Sequence, residues 1–215
     1  MYSIGMERVA TSLAGLVDIP TPEVFLEGFN SKQGALAVRV GGKAWEDVAS
    51  DVAAEVEIID RASFPLYVAF DLFLANIDRH EGNVLLDWDP PNRPPGKGEA
   101  CRSWLIDFGF SGLWHPSKFG AASTTEVDPT TARLTQTYVD LFRSRMPSGF
   151  RTALYTCDRR AVVDSLQRIT EDDIAAAVHE VPVDYISAEE GELTIRLLVS
   201  RLRTTYNLLE EVFPS

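Results

Sequence analysis

Asp78, Asn83 and Asp107 are of the types, and stand in the order, that phosphoryl transfer requires. A carboxylate beside an acceptor hydroxyl takes its proton and orients it. A carboxamide and a second carboxylate, both hard oxygen donors, hold the magnesium that neutralises a nucleotide's phosphates. Asp78 stands five residues ahead of Asn83 in the run Asn76-Ile77-Asp78-Arg79-His80-Glu81-Gly82-Asn83, and Asp107 opens a literal Asp-Phe-Gly after the apolar Trp104-Leu105-Ile106. Each piece alone is weak, because short motifs recur by chance and a lone Asp at a helix or strand end usually caps nearby amides. Their conjunction, with apolar segments between them, carries the reading.

Elements must bring these residues together. Ser63 can cap and Pro65 suits a first turn, and Leu66, Val68, Ala69, Phe70, Leu72, Phe73 and Leu74 make a helix that is apolar nearly all round and belongs in the core. Two short strands are expected next, Val84 to Leu86 and Trp104 to Ile106, joined by the Pro/Gly-rich stretch from Asp87 to Ser103. Antiparallel pairing of these strands sets Asn83, before one, beside Asp107, after the other. Gly109 permits a backbone turn after Asp107, and Phe108 can pack beneath it.

Ahead of this unit, Val9, Leu13 and Leu16 predict a helix over Met6 to Leu16 that stops before Asp18-Ile19-Pro20. Val24 to Phe29 and Ala35 to Val40 read as a hairpin turning over residues 30–34, and Gly41-Gly42 breaks the chain where a hinge belongs. After it come a helix capped at Asp128-Pro129 and running through Phe142, a second over Arg160 to Ile169, a third starting at Thr170, and a long last helix behind the capping box Ser187 to Glu190. The fold class is α+β, with residues 1–42 as a partial N-terminal lobe of helix plus hairpin and 43–215 as a mainly helical C-terminal lobe.

The neighbours of the motif have plainer readings beside their chemical ones. His80 can contact phosphate or brace its loop, Arg79 can orient the loop or pair with an acid, and Asn76 caps the helix end. His115 and His179 sit in no motif. The chain has 215 residues, 45% of them hydrophobic, enough for one sizeable core or two small lobes. A net charge of −12 speaks against a sequence-independent nucleic-acid binder, so no nucleic-acid partner is expected. Cys101 and Cys157 are far apart and in no metal spacing, as in a reduced cytoplasmic protein. Neither a membrane span nor a signal peptide is evident, and the cytoplasm is the expected compartment.

At Asn76-Ile-Asp-Arg-His-Glu-Gly-Asn83 and Leu105-Ile-Asp-Phe-Gly109 the chain resembles the HipA-like kinases, in particular the compact bacterial ones, and more distantly the phosphatidylinositol kinases. A looser likeness covers Glu7 to Glu23 and the stretch from Val181 to Ile186 with the helix after it. The resemblance implies a protein-kinase-like fold with a reduced N-terminal lobe and a phosphotransferase using ATP and Mg2+. Asp78 is then the catalytic base with His80 beside it, Asn83 and Asp107 are the metal ligands, and Glu7 is the helix glutamate that pairs with a nucleotide-binding lysine. The sequence departs from the family ahead of Glu7, where no glycine-rich loop or lysine-bearing strand stands. Lys43 lies on the wrong side of Glu7 and reads as a surface or structural residue. Three explanations stay open: a fragment or late start, a separate chain supplying the missing strands, or lost catalysis. The function expected is transfer of a phosphoryl group to a hydroxyl of a protein or small molecule. The alternative is a pseudokinase-like binding or regulatory subunit. The partners expected are a chain that supplies the missing lobe or a second copy, docked on the hairpin's open edge.

Overall fold

In this computed structural model the residues described are 2–29, 32–38, 41–48, 57–89, 98–109, 111–112 and 136–214. Met6, Val9, Ala10, Leu13 and Ala14 form a fully buried stripe on helix α1 (Tyr2–Leu16), the repeat that 3.6 residues per turn brings to one face. The helix begins at Tyr2 rather than at the expected Met6 because Tyr2 is itself buried and its hydroxyl lies 2.7 Å from that of Thr194. It ends as read, and Asp18 turns the chain with a left-handed φ of 57°.

Strands β1 (Val24–Phe29) and β2 (Lys32–Ala37) form a separate antiparallel hairpin, in register from Val24↔Ala37 to Phe29↔Lys32. The expected turn is therefore too long and the second strand too late. Gln33 and Gly34, which read as turn residues, sit within the ladder, where a two-stranded ribbon tolerates a glycine. Residues 30–31 and 39–40 of that reading lie outside the described residues.

A second sheet holds the site. Its strands β3 (Lys43–Ala44), β4 (Glu57–Ile58), β5 (Val84–Asp87) and β6 (Ala100–Leu105) run in the order β3-β5-β6-β4. β5 and β6 are antiparallel, with Val84 opposite Leu105 and Asp87 opposite Arg102. β3 and β4 were not foreseen, since two residues show no periodicity. Gly42 leads into β3 with φ 92° and lies so close to β5 that a Cβ there would come within 2.1 Å of the Leu86 carbonyl oxygen. Only glycine fits that passage.

Helix α2 (Phe64–Leu74) is buried along its whole length except at Leu66. Ser63 stands at its N-cap but makes no side-chain cap hydrogen bond, and a 3-10 turn, Arg61–Ser63, leads the chain in instead. Helices α3 (Gln136–Arg145), α4 (Ser148–Thr156), α5 (Arg159–Leu166), α6 (Glu171–His179) and α7 (Ala188–Val212) follow, and α2 packs against α4, α5 and α7. Reciprocal capping boxes at Thr170/Asp173 and Ser187/Glu190 start α6 and α7. The start of α3 expected at Asp128 lies outside the described residues, and α4 was not foreseen. Arg201 of α7 is buried and donates from Nε to the Leu72 carbonyl at 2.8 Å. It thereby fastens the long helix to the C-terminal turn of α2, at a carbonyl that also accepts the Ala75 N–H at 3.2 Å. Among the described residues no helix is long and apolar enough to cross a membrane.

Candidate active site

The end of α2 sets the site. Ala75 adopts a left-handed conformation, φ 58°, which stops the helix abruptly and turns the chain into residues 76–80. Asn76, fully buried, does more than cap a helix end. Its amide nitrogen donates to Asp71 Oδ1 at 2.7 Å and its Oδ1 accepts the Asp78 N–H at 3.1 Å. The Asp78 carbonyl in turn accepts from Asn83 Nδ2 at 2.8 Å, so a 3-10 turn over Glu81–Asn83 closes the loop onto itself before β5 begins.

Arg79 ties this loop to the rest of the site. Its side chain is 1% exposed and forms a two-pronged pair with Asp71, while Nη1 donates to the carbonyls of Asn83 at 2.6 Å and Ile106 at 2.8 Å. The Ile106 N–H meets the Asn83 carbonyl at 3.2 Å, continuing the β5/β6 ladder. Arg79 therefore pairs with an acid and orients the loop at once. A buried guanidinium with its donors matched is a rigid brace, since moving it would strand a charge away from water. Its carbon also lies 4.8 Å from the centre of the buried Phe108 ring, which stands edge-on to Phe70.

Asp107 is exposed and has φ 57°. Gly109 stands in the turn expected after Asp107, and Asp107 itself takes the left-handed conformation, which Asp accepts better than most side chains. Gly109 serves by its small size, since a Cβ there would meet Glu7 Oε1 at 3.3 Å. The Glu7 carboxylate accepts from the N–H groups of Phe108 and Gly109 and shares a hydrogen bond with Asp107. Burial, followed by the nearby Asp107 charge, pushes Glu7 from an ordinary 4.5 up to about 7, against the lowering effect of the two backbone donors.

The structure thus brings Asp78, Asn83, Asp107 and Glu7 into one connected network. His80 stands at its rim, with Nδ1 accepting the Gly82 N–H at 3.1 Å and capping the 3-10 turn. Glu46 Oε2 is 3.8 Å from the same nitrogen. Lys43, exposed on β3, pairs through its backbone with Leu86. Two participants escaped the sequence reading. Asp71 had a signal, a lone acid within an apolar helix that must find a partner. Arg145 had none: it lies on α3 and its Nη1 contacts Asp78 Oδ1 as an ion pair.

A magnesium ion fits the donors present. Asn83 uses its amide nitrogen on the Asp78 carbonyl, so its oxygen is the atom for a cation, and Asp107 adds an exposed carboxylate. Among the described residues no three His, Cys, Asp or Glu side chains gather at one point. An amide oxygen and a carboxylate suit magnesium, which keeps several waters and binds through one or two carboxylates plus phosphates. Beside it opens a cavity of about 300 Å³, walled by Val24, Val38, Leu85 and Leu105 and floored by Glu7 and Asp107. It is of the size that takes a small ligand.

No protein-family model matches the sequence, and no curated protein matches it either. Solved structures do. The proinflammatory kinase CtkA of Helicobacter pylori superposes with a TM-score of 0.60 at 13% identity, over 100% of this chain and 83% of that one. The complex of HipA, HipB and operator DNA from Shewanella oneidensis MR-1 matches with a TM-score of 0.48 at 15% identity, over 96% of this chain and 57% of the other. These likenesses do not test the expected exclusion of nucleic acid. With the CtkA superposition spanning the whole chain, and α+β architecture as expected, the chain shares the fold of that kinase.

Proposed function

We propose that the chain is an ATP-dependent phosphotransferase of HipA-like type that moves a phosphoryl group onto a hydroxyl acceptor. One observation carries this: the buried Arg79 joins the loop of Asp78 and Asn83 to the strand end of Asp107, so that base and metal donors are held as a single unit. Asp78 accepts the proton of the acceptor hydroxyl. Asn83 and Asp107 would hold magnesium, which when bound neutralises the phosphate charge. The apolar walls around Leu85 and Leu105 suit the nucleotide base. His80 shapes the loop through Gly82, and a role for it in transfer rests on the resemblance alone. The test is the purified chain with magnesium, labelled ATP and a degenerate serine/threonine peptide mixture. Wild type transfers label to the peptides or to itself, and Asp78→Asn and Asp107→Ala do not; no label from wild type, alone or with a lobe-supplying partner, sinks the proposal.

A second reading, a pseudokinase-like binding or regulatory subunit, is favoured by the position of Glu7, whose carboxylate is engaged by the Phe108 and Gly109 amides. Among the described residues no lysine is paired with Glu7, and without one the phosphates lose one cation of their clamp. Tight magnesium-ATP binding by calorimetry counts against this reading.

The hairpin is the proposed docking edge for a lobe-supplying chain or a second copy. Phe25 and Leu36, paired across it, are 46% and 59% exposed. Residues 1–42 and 43–215 are proposed as the two lobes. The cytoplasm is the proposed compartment, supported by two free cysteines.

A further inference from the structure

The counter-charge of Asp78 does not come from its own loop. Its side chain is 9% exposed, and an anion so buried is costly unless paired. Arg79, next to it, is committed to Asp71 and to two carbonyls. The cation that meets Asp78 arrives from Arg145, 67 residues downstream in the last turn of α3.

We propose that Arg145 is a positioning residue for Asp78: its contact with Oδ1 holds the carboxylate in one rotation, leaving Oδ2 as the oxygen that takes the acceptor's proton. This rests on the phosphotransferase reading. The hydrogen bonds from Asn76 and Asn83 fix the main chain of Asp78 but not the torsion about its Cβ–Cγ bond. A charge-assisted contact to one oxygen fixes that torsion and leaves the other oxygen to work. In the step it serves, the acceptor O–H bond breaks and its proton passes to Oδ2. The acceptor oxygen bonds the terminal phosphorus, and the bond from that phosphorus to the bridging oxygen breaks, releasing ADP.

Arg145 is itself held by a packed scaffold. Val139, Phe142 and Met146 of this helix and its exit are buried, and Phe142 packs edge-on against Phe213. Arg143 donates from Nε to the Val212 carbonyl and from Nη2 to that of Glu211 at 3.1 Å. The base is thereby referenced to the C-terminal end of α7 as well as to its own loop, and a displacement of α3 moves Arg145 off Asp78.

The experiment measures transfer from labelled ATP to the serine/threonine peptide mixture by the full chain. Arg145→Met lowers kcat about 10- to 100-fold with the KM for ATP within about twofold, the pattern of lost orientation rather than lost nucleotide binding. Arg145→Lys keeps an intermediate rate, and methylguanidinium in solution restores part of the Met variant's activity. A merely structural role would give neither the split nor the rescue. Arg145→Met transferring as fast as wild type or faster, while wild type is active, overturns the inference and leaves the phosphotransferase reading standing. If wild type transfers nothing, that reading fails by itself. A double-mutant cycle of Asp78→Asn and Arg145→Met in denaturant unfolding then tests the contact directly: a non-zero coupling upholds the pairing, and zero overturns it.

Discussion

Arg79 grips Asp71 with two arms of its guanidinium, Nε to Oδ2 at 2.9 Å and Nη2 to Oδ1 at 3.1 Å, and neither side chain is more than 1% exposed. The pair lies beneath the loop that carries Asp78, so its loss is felt in stability and in the site alike. Asp71→Ala leaves the guanidinium buried without its carboxylate, and chemical denaturation should show a loss of roughly 3–5 kcal/mol. Replacing both partners, Asp71→Leu with Arg79→Met, recovers much of that stability because no charge is stranded. It does not recover phosphoryl transfer, because the carbonyls of Asn83 and Ile106 lose their shared donor. A double variant with wild-type transfer would refute the bracing role.

Glu7 gives the stability of the chain a pH dependence. With its folded value at about 7 and its ordinary value at 4.5, the folded chain keeps a proton between those limits that the unfolded chain has lost. This contribution is fully present below about pH 4.5, falls as pH rises, and is gone above about pH 7. Its ceiling is about 3 kcal/mol. Glu7→Gln removes it. Without added magnesium, the Gln variant should unfold at the same denaturant concentration as wild type near pH 4 and at a higher one near pH 8. Parallel curves for the two proteins across that range would contradict the burial of Glu7 against Asp107.

The helices that matter most were legible because one-sided or all-round apolar patterns mark them. The stripe of α1 and the run in α2 are of this kind, and polar signatures at Thr170 and Ser187 announced α6 and α7. Asp78, Asn83 and Asp107 stood out in the sequence because the proposed chemistry demands fixed types at fixed offsets. The strain at Asp107 and the reach of Arg145 were not. A left-handed φ on Asp leaves no trace in composition, and a contact across 67 residues depends on how α3 packs, which its own sequence does not state. Gln33 and Gly34 misled for the opposite reason, since turn-type residues also occur inside an exposed ribbon.

Tyr185 anchors the hairpin from below. Its hydroxyl lies 3.1 Å from the Glu27 carbonyl and 3.4 Å from that of Gly34, two residues paired across β1 and β2. Tyr185→Phe removes that donor without opening a cavity and should cost about 1 kcal/mol, concentrated in the ribbon. Hydrogen exchange is the measurement: amides of β1 and β2 should exchange faster in the variant while those of α2 and α7 keep their wild-type rates. Uniform acceleration throughout the chain would mean that Tyr185 supports the whole fold instead.

At Asp107 the requirements of chemistry and of backbone can be separated by substitution. In the proposed mechanism the carboxylate holds magnesium, so Asn, Gly, Ala and Val at this position should all lose transfer. The φ of 57°, in contrast, ranks them by stability. Gly adopts that conformation freely and Asn tolerates it, whereas a Cβ without a local polar partner costs roughly 1–2 kcal/mol and β-branching adds to the clash. In thermal denaturation Asp107→Gly and Asp107→Asn should melt close to wild type. Asp107→Ala should fall by a few degrees, at about 2–4 °C per kcal/mol for a chain of this size, and Asp107→Val further. If Asp107→Val melts with Asp107→Gly, the left-handed turn belongs elsewhere in the Asp-Phe-Gly segment, and the route by which Asp107 reaches Asn83 must be redrawn.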